Sequence, residues 1–151
     1  MNLLSRLLGR SECQIDDPVF GPLRQKKAWW EGEASWPQSA SRVTVSVHRS
    51  PGEPSAEDRN AFLSVRDGYN SLLPAISEAL FRLWGKPDAK WDGPNPSSPQ
   101  ELLQLLELSC VFVEPSARVE LLYGFAGEVW PDAMLTVAVQ AGTVEPVSFD
   151  D

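Results

Sequence analysis

The chain has 151 residues, a formal net charge of −8 and an isoelectric point near 4.6. One domain with its own core is the natural reading of that length, and 42% apolar with 23% charged residues is ordinary globular composition. An acidic surface repels phosphate backbones, which argues against nucleic acid and anionic membranes and favours a basic protein as partner.

The opening MNLLSRLLGR repeats leucine at helical spacing (Leu3, Leu4, Leu7, Leu8) with Arg6 and Arg10 between. The run is too short and too interrupted for a signal peptide or a membrane span. Residues 1–16 are expected to form a short amphipathic helix and a connection, and residues 17–151 a single α+β domain. That helix either packs on the body or lies against a partner. Phe20 leads into a first strand ending near Trp29, and a second covers Glu31 to Trp36. In the clearest early strand Val43, Val45 and Val47 alternate with Thr44, Ser46 and His48, the period of a half-buried strand.

Ser55-Ala56-Glu57-Asp58 is close to a capping box and opens a helical run. Its apolar face is Phe62, Val65, Tyr69, Leu72, Leu73, Ile76, Leu80 and Leu83. Pro74 predicts a kink or restart near Ser71, and Gly85 a C-terminal cap. The irregular stretch from Gly85 to Ser98 follows. Ser98-Pro99 then starts a second helix packed through Leu102, Leu103, Leu105 and Leu106. Strands follow at Ser109–Glu114, around Val119–Phe125 and at Leu135–Val139. Val144–Phe149 is a short last strand that Pro146 confines to an edge.

Strands, then helices, then strands imply α+β. The expected architecture is a mainly antiparallel sheet of about six strands in β-β-β-α-α-β-β-β order, with helices packed on one face. The other face, carrying Thr44, Ser46, His48, Thr136 and Gln140, should be partly wet.

Trp29, Trp30 and Trp36 crowd into KKAWWEGEASW. In an extended chain Trp30, Gly32, Ala34 and Trp36 share one face, two large rings alternating with small residues as in a core layer. Trp29 falls on the wetter side with Glu31 and Glu33, and Trp84 is expected in the core. Trp91 and Trp130 sit in loops beside Asp92 and Asp132, where tryptophan either lies as a lid over the core or anchors a partner.

The one histidine, His48, lies at the polar parity of its strand, an exposed or partly satisfied position rather than that of a catalytic base. No CxxC, HExxH, EF-hand, GxGxxG or Walker pattern occurs, so no metal, cofactor or catalytic residue is assigned. The two cysteines, Cys13 and Cys110, give no disulfide framework, and a reducing cytoplasm is the simpler home. Cys110 sits in an apolar run that suits a buried free thiol.

Asp17-Pro18-Val19-Phe20-Gly21-Pro22-Leu23, Trp30-Glu31-Gly32, the Val43–Val47 strand, the capped helix from Ser55 and the Trp130-Pro131-Asp132 loop form a pattern. It resembles an uncharacterised bacterial family of domains of unknown function, over about Asp17 to Phe149. Some such domains look like toxin-immunity or accessory proteins. That role is what the resemblance implies, and it brings no catalytic residues; the acidic chain, the missing catalytic constellation and the loop tryptophans beside aspartates lead to the expectation of a non-enzymatic cytoplasmic protein-binding domain. The expected partner surface is Trp91, Asp92, Trp130 and Asp132, with Glu31 and Glu33 beside it. Two alternatives stand next to this. One is an enzyme using the loop carboxylates Asp16, Asp17, Asp88, Asp92, Glu128, Asp132, Asp150 and Asp151, with or without a metal. The other is self-assembly through the N-terminal helix or the edge near Val144.

Overall fold

Four strands, three helices and four strands follow one another in a computed structural model that describes residues 13–49, 52–85, 93–127 and 132–150. The strands are β1 (Gln14–Asp17), β2 (Gly21–Gln25), β3 (Trp29–Ala34) and β4 (Val43–His48), then β5 (Leu106–Glu114), β6 (Arg118–Phe125), β7 (Met134–Gln140) and β8 (Thr143–Asp150). The helices are α1 (Ala56–Asp67), α2 (Tyr69–Trp84) and α3 (Pro99–Leu105). All eight strands lie side by side in chain order in one sheet. Every neighbouring pair is antiparallel except β4 and β5. Two parallel strands cannot be joined by a tight turn, and here the three helices form the crossover.

The α+β class holds, but the sheet is mixed and has eight strands rather than about six. β1 lies in the stretch expected to be a connection. Its sequence, Gln-Ile-Asp-Asp, has no apolar alternation, and only Asp17 in it is buried. Trp29 opens β3 instead of closing the strand before it, and Leu106 belongs to β5 rather than to the second helix.

The cap of α1 forms as its sequence predicts. The Ser55 hydroxyl accepts from the Asp58 N–H at 3.1 Å, and the Asp58 carboxylate accepts from the Ser55 N–H at 2.8 Å. The expected break near Ser71 falls instead at Gly68, between α1 and α2. Glycine leaves the helix cheaply there, and the restart puts Pro74 in the second turn of α2, which continues through it.

Val43, Val45 and Val47 face inward with Val111 and Val113, Val119 and Leu121, and Leu135, Val137 and Val139. Phe62, Ile76, Leu80 and Trp84 of the helices close over them, each contributing on the order of 1.5–3 kcal/mol. Trp30, Ala34 and Trp36 are buried as the alternation predicts, and Trp29 is half-buried on the opposite face, edge-on to Phe112. That opposite face is drier than expected: Ser46 and Thr136 are buried. Their cross-strand partners are the apolar Phe112 and Leu122, which shield them from water.

The quoted motifs are folding devices. Asp17 pairs with Gly21 across the β1–β2 turn. Its Oδ1 accepts from the N–H groups of Val19 and Phe20 at 2.9 and 3.0 Å, and Gly21 takes the left-handed φ of 72° that the turn needs. Its Oδ2 accepts from Nε and Nη2 of Arg59, both at 2.9 Å, which ties the hairpin to α1. Burial of Asp17 opposes ionisation, but Arg59 and the two N–H groups outweigh it and hold the carboxyl below its ordinary range. In Trp-Glu-Gly, Trp30 fills the core and donates its Nε1–H to the Gly52 carbonyl at 2.9 Å. A Cβ on Gly32 would stand 2.7 Å from the Pro22 carbonyl oxygen and 2.9 Å from Leu23 Cδ2. Only glycine lets β2 cross β3 so closely.

Candidate functional site

Two polar contacts tie α1 to the first four strands, alongside the packing of Phe62 on Phe20 and Trp36. Asp17 takes Arg59, and His48 Nε2, at the end of β4, lies 2.8 Å from Asp58 Oδ1. His48 is thus half-buried and partnered by the residue that caps α1. Beyond Gly68, α2 turns away over β7 and β8, where Trp84 meets Phe125 and Phe149 at 5.4 and 6.2 Å. The divergence leaves a cleft of about 650 Å³ along α1. One wall is Asn60, Ala61, Ser64 and Val65, the far rim is the turn residues Ala117, Ala141 and Gly142, and Val139 and Leu72 add apolar surface. Among the described residues, Glu57 is its one charged lining residue.

The rim is built from strained backbone. Ser116, Ala117 and Ala141 all have positive φ (65°, 58° and 50°) without being glycine, at a cost of roughly 1–2 kcal/mol each. In the β7–β8 turn Ala141 and Gly142 are the two central residues between paired Gln140 and Thr143, a hairpin that demands two left-handed residues. Small side chains at these turns leave the mouth of the cleft open.

Two smaller clefts differ in chemistry. One, of about 270 Å³, lies near Trp36, Tyr69 and Tyr123. The two tyrosine hydroxyls are 2.6 Å apart, and burial raises the pKa of both. Trp36 Nε1 has no hydrogen-bond partner and is sealed from solvent, with its ring edge-on to Phe62 and Tyr69. The other, of about 440 Å³, is on the opposite face of the sheet and brings Glu31 and Glu33 together with Arg24 and Arg42.

The expected partner surface is not assembled as one patch. Trp91, Asp92 and Trp130 lie outside the described residues. Asp132 is exposed just before β7, and Glu31 and Glu33 lie on β3. The register runs from Glu33 through Thr44, Cys110 and Leu122 to Thr136, four strand spacings, or about 19 Å. Glu31 and Glu33 also have basic neighbours, Lys26 at 4.0 Å and Arg42 at 3.8 Å. Of the loop carboxylates considered for catalysis, Asp88, Asp92, Glu128 and Asp151 lie outside the described residues; the described ones, Asp16, Asp17, Asp132 and Asp150, line none of the three clefts, and Asp17 is committed to Arg59. Among the described residues no three His, Cys, Asp or Glu side chains group to hold a metal ion, and no helix is long and apolar enough to cross a membrane. Cys13 and Cys110 are free; burial pushes the Cys110 thiol up.

Sequence reasoning missed the cleft because its wall lies along the border of the apolar stripe of α1, where Val65 joins the small or polar Asn60, Ala61 and Ser64. The available signal was the row of small or short residues at Asn60, Ala61, Ser64 and Gly68.

No family model, curated protein or solved structure matches this chain.

Proposed function

We infer that this chain is a non-enzymatic protein-binding domain that receives an apolar segment of its partner in the cleft along α1. The observation that carries the reading is the cleft itself: apolar walls, a volume within the range of ligand sites, and a rim held open by strained, small-residue turns. Non-glycine residues in left-handed backbone cluster where structure is shaped for a task. The charge of −8 favours a basic partner and would speed its capture. An immunity or accessory role in the bacterial cytoplasm agrees with the sequence resemblance, and two free cysteines suit a reducing compartment.

The test is affinity capture from the host with the tagged full chain at low salt, compared with Ser64→Trp, which fills the cleft from an exposed position on α1. A stoichiometric partner retained by the parent chain and lost by Ser64→Trp is the expected result. A partner that binds both equally would remove the cleft from the interface. A control with Glu31→Ala and Glu33→Ala reports on the opposite face.

A further inference from the structure

We propose that the cleft of about 270 Å³ beside Trp36, Tyr69 and Tyr123 binds an uncharged small molecule that presents a carbonyl oxygen from an apolar body. It shares no lining residue with the cleft along α1, so it does not depend on the partner reading above.

The first observation is a surplus of donors. Among the described residues, two buried side-chain atoms have no hydrogen-bond partner, Trp36 Nε1 and Arg49 Nε. The Arg49 guanidinium still donates through Nη1 to the Lys26 and Lys27 carbonyls. The Trp36 indole has a single N–H, and it is unbonded although the residue is only 4% exposed. The tyrosine pair adds a spare hydrogen. Two hydroxyls hold two protons, burial keeps both in place, and the mutual bond at 2.6 Å uses one. Buried donors are costly without an acceptor, and a carbonyl oxygen with two lone pairs complements them. No cationic side chain is among the described lining residues, and exposed Glu107 is, which disfavours a carboxylate or phosphate ligand.

The second observation is how the chain builds the walls. The register of β5 on β6 slips between Leu108 and Cys110, so Ser109 is an extra residue that reverses the alternation. Val111 and Val113 face the core at odd positions, and Leu106 and Leu108 join the core side at even ones, with Leu108 paired to Tyr123. Without the bulge both leucines would point away from the helices. A second wall is the turn from Trp36 to Ser39, closed by the Ser39 N–H on the Trp36 carbonyl at 3.1 Å. Its third residue, Gln38, has a φ of 62°, a position that glycine or asparagine normally takes. The Gln38 amide donates to Asn70 Oδ1 at 2.7 Å and so ties the turn to the helix that carries Tyr69. Exposed Gln38, Ala40 and Ser41 form a polar mouth over a buried floor of Trp36, Tyr69 and Tyr123. The volume is just under the usual range for drug-sized ligands, which limits the ligand to a small one such as a single ring with its carbonyl substituent.

The test titrates the isotope-labelled full chain with acetophenone, with ethylbenzene (the same body without the oxygen) and with benzoate. The readout is the Trp36 indole N–H resonance, assigned through Trp36→Phe. Acetophenone should move it and bind about tenfold tighter than ethylbenzene, the preference that one hydrogen bond gives. Benzoate should bind more weakly than either. The double change Tyr69→Phe, Tyr123→Phe keeps the shape of the site and should reduce the preference for acetophenone. Ala40→Trp fills the mouth from an exposed position and should abolish the shift. An indole resonance unmoved up to the solubility limit of acetophenone would overturn the proposal. Equal affinity for acetophenone and ethylbenzene, or tighter binding of benzoate, would do the same. A probe that moves the Val65 and Val139 methyls but not the indole would place it in the cleft along α1 and also overturn the assignment. So would a water cross-peak at the Trp36 indole N–H that survives acetophenone, since a buried water would then be the acceptor.

Discussion

The β1–β4 side meets α1 through buried polar contacts as well as the rings of Phe20, Trp36 and Phe62, whereas α2 meets β7 and β8 through rings and aliphatic side chains. On the first side Asp17 holds Arg59 and His48 holds Asp58. On the second, Trp84 lies against Phe125 and Phe149. Hydrogen bonds are directional and fix α1 at defined atoms; apolar packing rewards area and specifies direction weakly. The cleft opens where α1 gives way to α2, at Gly68, beside the helix that the polar latch holds at defined atoms.

The sharpest way to break the first half is Gly32→Ala. Its Cβ would meet the backbone oxygen of Pro22, which cannot swing aside as a side chain could. A loss of about 3 kcal/mol is expected from overpacking, read as a lower urea midpoint. Gly142→Ala in the second half meets no atom within 4 Å, so only its left-handed φ resists, at about 1 kcal/mol. Equal losses would mean that the close crossing of β2 over β3 is not a constraint.

Arg59→Met tests the latch directly. It leaves the Asp17 carboxylate buried with only its two turn N–H groups, at an expected cost of about 2 kcal/mol; Arg59 is partly exposed, so the loss falls below that of a fully buried pair. The sign with pH follows from the depressed Asp17 pKa. Its stabilising share is fully present above the ordinary aspartate value of about 3.9 and is lost as pH falls through the lower folded value. The stability gap between the parent chain and Asp17→Asn should therefore be constant from pH 7 to about 5 and close at lower pH. A gap that widens in acid would contradict the lowered pKa.

These residues show what the sequence made legible. The alternation of Val43–Val47 and the Ser55–Asp58 cap are local patterns, and both formed as expected. Asp17 and Gly32 were visible as motif residues, but their reasons are long-range: a guanidinium 42 positions away and a carbonyl on the neighbouring strand. β1 escaped detection because it is paired through backbone and anchored by one carboxylate, neither of which leaves hydrophobic periodicity. The cleft was invisible for a related reason, since a space between α1 and two hairpin turns has no local signature. Tryptophan and acid were legible as composition, yet Glu31 and Asp132 proved to be strands apart.

In the second half the corresponding polar feature is the Tyr69–Tyr123 hydroxyl pair. Tyr123→Phe leaves the Tyr69 hydroxyl without this partner, with an expected loss of about 1.5 kcal/mol. The double change Tyr69→Phe, Tyr123→Phe removes both hydroxyls and should lose less than the single change. A double variant weaker than either single one would show that the pair supports the second half as strongly as Asp17–Arg59 supports the first.

The smallest effect separates buried charge from exposed charge within the first half. Glu33 lies 3.8 Å from Arg42, and both side chains are more than half exposed. Arg42 also donates to the Glu33 backbone carbonyl at 2.8 Å, a bond that does not need the carboxylate. Glu33→Gln should therefore change stability by less than about 0.5 kcal/mol, against the larger shift from Asp17→Asn a few strands away. The same variant weighs the two candidate surfaces. If a basic partner docks on the open sheet face, Glu33→Gln slows its association and flattens the salt dependence. If the partner enters the cleft along α1, association is unchanged by Glu33→Gln and falls with Ser64→Trp, because the two positions lie on opposite faces of the sheet.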